Sequence, residues 1–201
     1  MLIGLDLDNT IIKYDELFHG LALEKSLIGP DLAVDKTTVC DHIRLHHGDE
    51  AWQDLQALAY GPRLNRAVVF PGVHQVLRRW RAAGFRLAII SHKTPYSSRG
   101  RQELRGAALD FLRENDIIPL ISRLDVHFVN KVDEKVALIA DLKCRVFVDD
   151  LPKILLHPEF PAATGRILFD PNGTGRPGLT VCSDWEQIGR HVLESGKDWL
   201  K

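Results

Sequence analysis

The stretch that decides the fold is Met1-Leu2-Ile3-Gly4-Leu5-Asp6-Leu7-Asp8-Asn9-Thr10. A short apolar run, Leu2 to Leu5, stops abruptly at two acids spaced one residue apart. Its length and content suit a buried strand rather than a helix. Three further runs end the same way: Arg86–Ile90 before Ser91-His92-Lys93-Thr94, Val126–Val129, and Arg145–Val148 before Asp149-Asp150. Arg166–Phe169 is a weaker fifth candidate.

Helical patterns alternate with these runs. Val73, Val76, Leu77 and Trp80 follow i, i+3, i+4, i+7 after Pro71-Gly72, and Gly84 offers a stop. Ala107–Asn115, Glu134–Leu142 with Asp133 as N-cap, and Asp184–Trp199 read as further helices. Strands alternating with helices predict an α/β fold, a doubly wound parallel sheet of the Rossmann-like kind.

One region departs from this rhythm. From Tyr14 to about Arg66 only amphipathic helical segments occur, over Asp15–Leu27, Thr38–His46 and Glu50–Tyr60. They predict a small α-helical insertion, residues 14–66, over the strand ends of a core made of 1–13 and 67–201. Pro171 to Gly178 reads as a surface loop.

Composition sets the outer limits. The chain has 201 residues, 45% hydrophobic and 26% charged, which suits one domain with a small insertion and gives no sign of disorder. A formal net charge of -1 supplies no basic field for nucleic acid. Cys40, Cys144 and Cys182 are odd in number and lack CxxC spacing, which predicts reduced, mostly buried thiols. The first residues lack the basic n-region of a signal peptide, and no apolar run approaches the ~20 residues of a membrane helix. The expectation is a cytoplasmic protein without membrane or nucleic-acid partners.

Ligands of open α/β sheets bind at the carboxyl ends of the strands. There the sequence sets Asp6, Asp8, Asp149 and Asp150 beside a hydroxyl and a lysine. Carboxylates so gathered repel unless they share a divalent cation. Magnesium fits, because it takes hard oxygen ligands from carboxylates and substrate phosphate. A hydroxyl and a lysine can hold other phosphate oxygens, and a carboxylate can attack phosphorus.

These residues resemble the haloacid dehalogenase (HAD) superfamily. Asp6, Asp8 and Thr10 match its first motif, DxDx[TV]; Ser91 matches the second; Asp149-Asp150 match the fourth. The resemblance implies a phosphatase acting through an aspartyl-phosphate on a small phosphorylated metabolite. In it Asp6 is the nucleophile and a metal ligand. Asp8 is the acid/base, with its carbonyl on the metal. Asp149 and Asp150 hold Mg2+, and Thr10, Ser91 and His92 stand with the phosphate-binding group. The acid at position 8 favours phosphoryl chemistry over dehalogenation. The third-motif lysine has two candidates, Lys131 and Lys135. Lys135 is favoured because it lies in the first helical turn if Asp133 is the cap. The insertion corresponds to a short cap of the family's first type, suited to a small substrate. The alternatives are a phosphotransferase, a nucleic-acid end-processing phosphatase or a non-catalytic module of the same scaffold.

Three surface features complete the reading. His42 and His46 stand at i, i+4 among Asp41, His47 and Asp49, a spacing that can bind metal but lacks a third ligand in register. An exposed helix face is the simpler reading. The basic stretch Lys93, Arg99, Arg101 and Arg105 suits either a second anionic group of the substrate or a solvated loop. The four tryptophans, Trp52, Trp80, Trp185 and Trp199, read as packing residues.

Overall fold

The computed structural model describes residues 1–173 and 176–199, with side chains described as far as residue 195. In chain order the strands are β1 (Leu2–Leu5), β2 (Ile12–Lys13), β3 (Val68–Val69), β4 (Arg86–His92), β5 (Val126–Val129), β6 (Val146–Asp149), β7 (Gly165–Phe169) and β8 (Thr180–Cys182). The helices are α1 (Asp15–Glu24), α2 (Lys36–His47), α3 (Asp49–Tyr60), α4 (Val73–Ala82), α5 (Arg105–Glu114), α6 (Val132–Asp141), α7 (Pro152–Leu155) and α8 (Trp185–Trp199). They fall into two compact units: residues 1–11, 69–92 and 116–201, and residues 12–68 and 93–115.

The first unit is built on a six-stranded sheet in the order β5-β4-β1-β6-β7-β8. Every pairing is parallel. The α/β doubly wound reading therefore holds. From β1 the chain builds outward through β4 and β5, then returns to β1's other side for β6, β7 and β8. The order reverses at β1 and β6, a topological switch point where such sheets bind ligands.

All five runs read as strands from the sequence are strands, and β4 extends through Ser91 to His92. β8 escaped detection because Thr180-Val181-Cys182 is three residues long and only partly buried. The four-residue α7 is likewise too short to show periodicity.

Each helix buries its apolar stripe. Val73, Val76, Leu77 and Trp80 of α4 are buried, and Gly72 and Gly84 flank the helix with φ of 87° and 83°. Trp185 of α8 packs near Trp80, ring centroids 6.1 Å apart. Another core cluster joins Ala88, Ile90, Val136, Ile139, Phe147 and Leu168. At Gly4, in the middle of β1, a Cβ would lie 2.6 Å from the Phe147 ring and 2.9 Å from Cys144 Sγ. Only glycine allows that ring to close over the strand.

The expected cap of α6 is corrected. The helix starts at Val132 with extended Lys131 as N-cap, and Asp133 lies inside the first turn. Glu134 Oε2 accepts from the backbone N–H of Asn130, the residue before the cap, at 2.8 Å. Asp133 instead faces His157 Nε2 at 3.2 Å.

The second unit is helical, with α1, α2 and α3 packing on one another and α5 against the 3-10 turn Leu64–Arg66. No strand interrupts 14–66. Asp35 caps α2, its Oδ1 accepting from Thr38 N–H at 2.7 Å. Phe18, Val39, Ile43, Trp52 and Leu55 form its interior.

Candidate active site

Parallel pairing on both sides of β1 carries Asp6 to the centre of the sheet's carboxyl edge, its N–H still bonded to Val148 O at 2.9 Å. Asp149 closes β6 on the adjacent strand. Carboxylate oxygens of Asp6, Asp149 and Asp150 lie within 4.8 Å of one another, the one group of this kind among the described residues.

Lys135 reaches between them. Its Nζ is 2.5 Å from Asp6 Oδ1 and 2.7 Å from Asp149 Oδ2, and all three side chains are buried. Leu151 N–H donates to Asp149 Oδ1 at 2.8 Å, so both oxygens of that carboxylate are engaged. Thr10 Oγ1 donates to Asp6 Oδ2 at 3.4 Å. The carboxylates keep lone pairs beyond these bonds.

The electrostatics follow from burial. Desolvation pushes the Asp6 carboxyl up to about 7; Lys135 opposes the rise, and Asp149 and Asp8 reinforce it. For Lys135, burial disfavours the charge, but the carboxylates of Asp6 and Asp149 outweigh it and hold the ammonium above its ordinary range. Lys135 bonds Asp6 and Asp149, and Asp150 lies beside them. The donor set is hard oxygen from clustered carboxylates, which fits a divalent cation such as magnesium.

The other residues singled out from the sequence fall into two groups. Asp8 is half-buried and close enough to raise Asp6's proton affinity; Ser91 is buried near the end of β4. His92 is exposed, its Nε2 2.8 Å from Asn130 O. Lys131 is exposed at the start of α6. Of the two lysines, the geometry brings Lys135 to the carboxylates.

Two further residues were not visible in the sequence. Asn9 takes φ 58°, and its Nδ2 donates to Asp150 Oδ2 at 3.4 Å. Asparagine tolerates this left-handed turn better than most side chains. Trp185 Nε1 donates to Thr10 O at 2.9 Å, buried and from 175 residues away. An Asn between DxD and Thr hints at the first; nothing local signals the second.

Elsewhere, His42 and His46 rings lie 4.4 Å apart, and no group of three metal-ligating side chains includes them among the described residues. Arg99 is tied to Asp54 and Glu50 on α3, at 2.6 and 3.5 Å. Trp52, Trp80 and Trp185 are buried; Trp199's side chain lies outside the described residues. Cys144 and Cys182 are buried, free thiols, and Cys40 is half-buried. Burial pushes the Cys144 thiol up to about 12 and Cys182 to about 11. No helix is long and apolar enough to cross a membrane among the described residues.

A six-stranded parallel sheet with carboxylates at its switch point is the fold of the HAD-superfamily hydrolases, and the chain has that fold. A HAD-family hydrolase from Deinococcus radiodurans R1, solved with bound phosphate and sodium, is similar at TM-score 0.64 and 15% identity, covering 97% of this chain and 96% of that one. A candidate beta-phosphoglucomutase from Thermotoga maritima is similar at TM-score 0.62 and 13% identity, covering 96% and 98%. A candidate phosphoglycolate phosphatase from Haemophilus somnus 129pt is similar at 0.59 and 17%, covering 95% and 97%. No protein-family model matches the chain, and no curated protein matches it by sequence.

Proposed function

We propose that this chain is a magnesium-dependent phosphatase of small phosphorylated metabolites. The observation that carries the reading is Lys135 Nζ held between Asp6 and Asp149, with Asp150 beside them. The fold shared with hydrolases, one of them solved with phosphate, supports it.

In this reading Asp6, Asp149, Asp150 and the Asp8 carbonyl would hold the ion, which neutralises charge on the phosphoryl oxygens when bound. A carboxylate oxygen of Asp6 attacks phosphorus. The Asp6 O–P bond forms, the ester P–O bond breaks, and Asp8 gives its proton to the leaving oxygen. Water then attacks the aspartyl-phosphate, Asp8 takes its proton, and the bond to Asp6 breaks with release of phosphate. Lys135 orients the nucleophile, and Ser91 and Thr10 donate to phosphoryl oxygens.

The test is turnover of a phosphometabolite panel with magnesium, alongside Asp6→Asn and EDTA controls. Turnover surviving either control overturns the mechanism. No turnover of any ester overturns the function.

A further inference from the structure

Helix α6 presents Lys135 to the carboxylates from its weakest end. The first turn of a helix has backbone N–H groups that no intrahelical carbonyl serves, and the N-cap here, Lys131, offers them no side-chain acceptor. Lys135 closes that turn, its own N–H bonding Lys131 O at 3.2 Å. Fraying of the turn would therefore displace the ammonium directly. The buried residues Val136 and Ile139 secure the helix only further along.

Two acids fasten the turn to its neighbours. Glu134 Oε2 accepts from Asn130 N–H at 2.8 Å, and the carbonyl of the same Asn130 lies 2.8 Å from His92 Nε2. A carbonyl only accepts, so His92 donates there through Nε2. His92 ends β4, directly after Ser91. The second tie runs from Asp133, whose Oδ1 stands 3.2 Å from His157 Nε2. His157 Nδ1 accepts from Glu159 N–H at 3.2 Å, which leaves the ring proton on Nε2, facing the carboxylate. His157 lies just after α7, the short helix that follows Asp149-Asp150.

Both ties thus end on chain segments that carry the site. Asp133 is 79% exposed, and exposed pairs contribute little to global stability. Their effect is on where the turn stands. Lysine reaches its partners on a flexible four-carbon stem, so its ammonium keeps one position only if the backbone beneath it does.

We infer that Asp133 and Glu134 are positioning residues: through His157 and Asn130 they fix the first turn of α6, and with it the place of the Lys135 ammonium between Asp6 and Asp149. The consequence for turnover rests on the phosphatase reading above; the ties themselves do not. Asp133→Asn and Glu134→Gln keep an acceptor oxygen, whereas Asp133→Ala and Glu134→Ala remove it.

Hydrogen exchange of the Lys135 ammonium, followed by NMR of isotope-labelled protein in EDTA, tests this together with kcat and KM in magnesium. The resonance is identified by its loss in Lys135→Arg. The Asp133→Ala/Glu134→Ala chain is expected to exchange at least about tenfold faster. Its kcat is expected to fall about tenfold with KM within about twofold of wild type. Asp133→Asn/Glu134→Gln stays within about twofold of wild type in both rates. His157→Ala added to Asp133→Ala has no further effect, as one shared tie requires. Exchange at the wild-type rate in the alanine chain, or faster exchange with unchanged kcat, overturns the proposal. A lower Tm with both rates unchanged marks acids that only stabilise the helix start, and does the same. Equal losses in the amide chain assign the effect to charge rather than to the ties, and also overturn it. Faster exchange in the alanine chain, where wild type turns over no ester with magnesium, removes the phosphatase reading and leaves the ties standing.

Discussion

Lys135 Nζ lies 2.7 Å from Asp149 Oδ2, and both side chains are buried within the first unit. The same ammonium bonds Asp6, so one cation serves two buried carboxylates. Such a partner is costly to remove, because the charges left behind have no solvent to turn to. Lys135→Ala is expected to lower stability by about 3–5 kcal/mol. Its kcat/KM should fall at least about 100-fold, the scale of losing a preorganised charge at a reacting group. Lys131→Ala, at the exposed cap of α6, should stay within about twofold of wild type. Urea melts and phosphatase assays on both variants check this, and a near-normal Lys135→Ala enzyme would refute it.

The Asp6 carboxyl supplies a pH prediction. Burial, aided by Asp149 and Asp8 against Lys135, raises it from an ordinary 3.8 to about 7. A raised carboxyl binds its proton more tightly folded than unfolded, so its contribution to stability is lost as pH climbs from about 4 to about 7. Asp6→Asn has no proton to lose. In metal-free buffer the variant's Tm should match wild type near pH 4 and exceed it by several degrees at pH 8. Magnesium at pH 8 should raise wild-type Tm and leave Asp6→Asn nearly unmoved. A constant Tm difference across pH would count against the assignment.

Asn9 combines a left-handed backbone with a bond to Asp150. Substitution can separate the two. Asn9→Gly keeps the backbone and loses the bond, whereas Asn9→Ala loses both. Both variants should lose activity, and only alanine should also lose about 1 kcal/mol of stability. Equal stability of the two, measured by denaturant titration, would show that the turn carries no strain.

Trp185 tests whether a remote side chain sets the carboxylate loop. Its indole N–H donates to the buried Thr10 carbonyl. Trp185→Phe leaves that carbonyl without its donor, at a cost of about 1–3 kcal/mol. If the bond fixes the Asp6–Thr10 turn, kcat should fall about tenfold with little change in KM. A stability loss with unchanged kcat would make Trp185 a packing residue only.

Much of this architecture is readable from residue order. Apolar runs ending in acids identify β1 and β6, because a buried parallel strand is apolar throughout and its end meets water. Helix α4 is legible from period and glycine stops. Legibility fails where elements are too short for a period, as in β8 and α7. It fails again at the start of α6, where Asp133 suits a cap by residue type but the folded backbone starts the helix at Val132 and leaves Asp133 inside the first turn.

The same division runs through the site. The sequence by itself determined which chemical groups stand at the strand ends, since strand termini and side-chain types are local properties. It also placed Asp6, Asp8, Ser91 and the Asp149-Asp150 pair beside one another in kind. Only the tertiary structure shows that Lys135, and not Lys131 one helical turn earlier, is directed inward to two carboxylates. It alone joined Trp185 to Thr10, and set Lys36 and Lys93 on the ring of Tyr60. Those relationships span 14 to 175 residues of chain, and contacts between separate elements exist only once packing has brought those elements together.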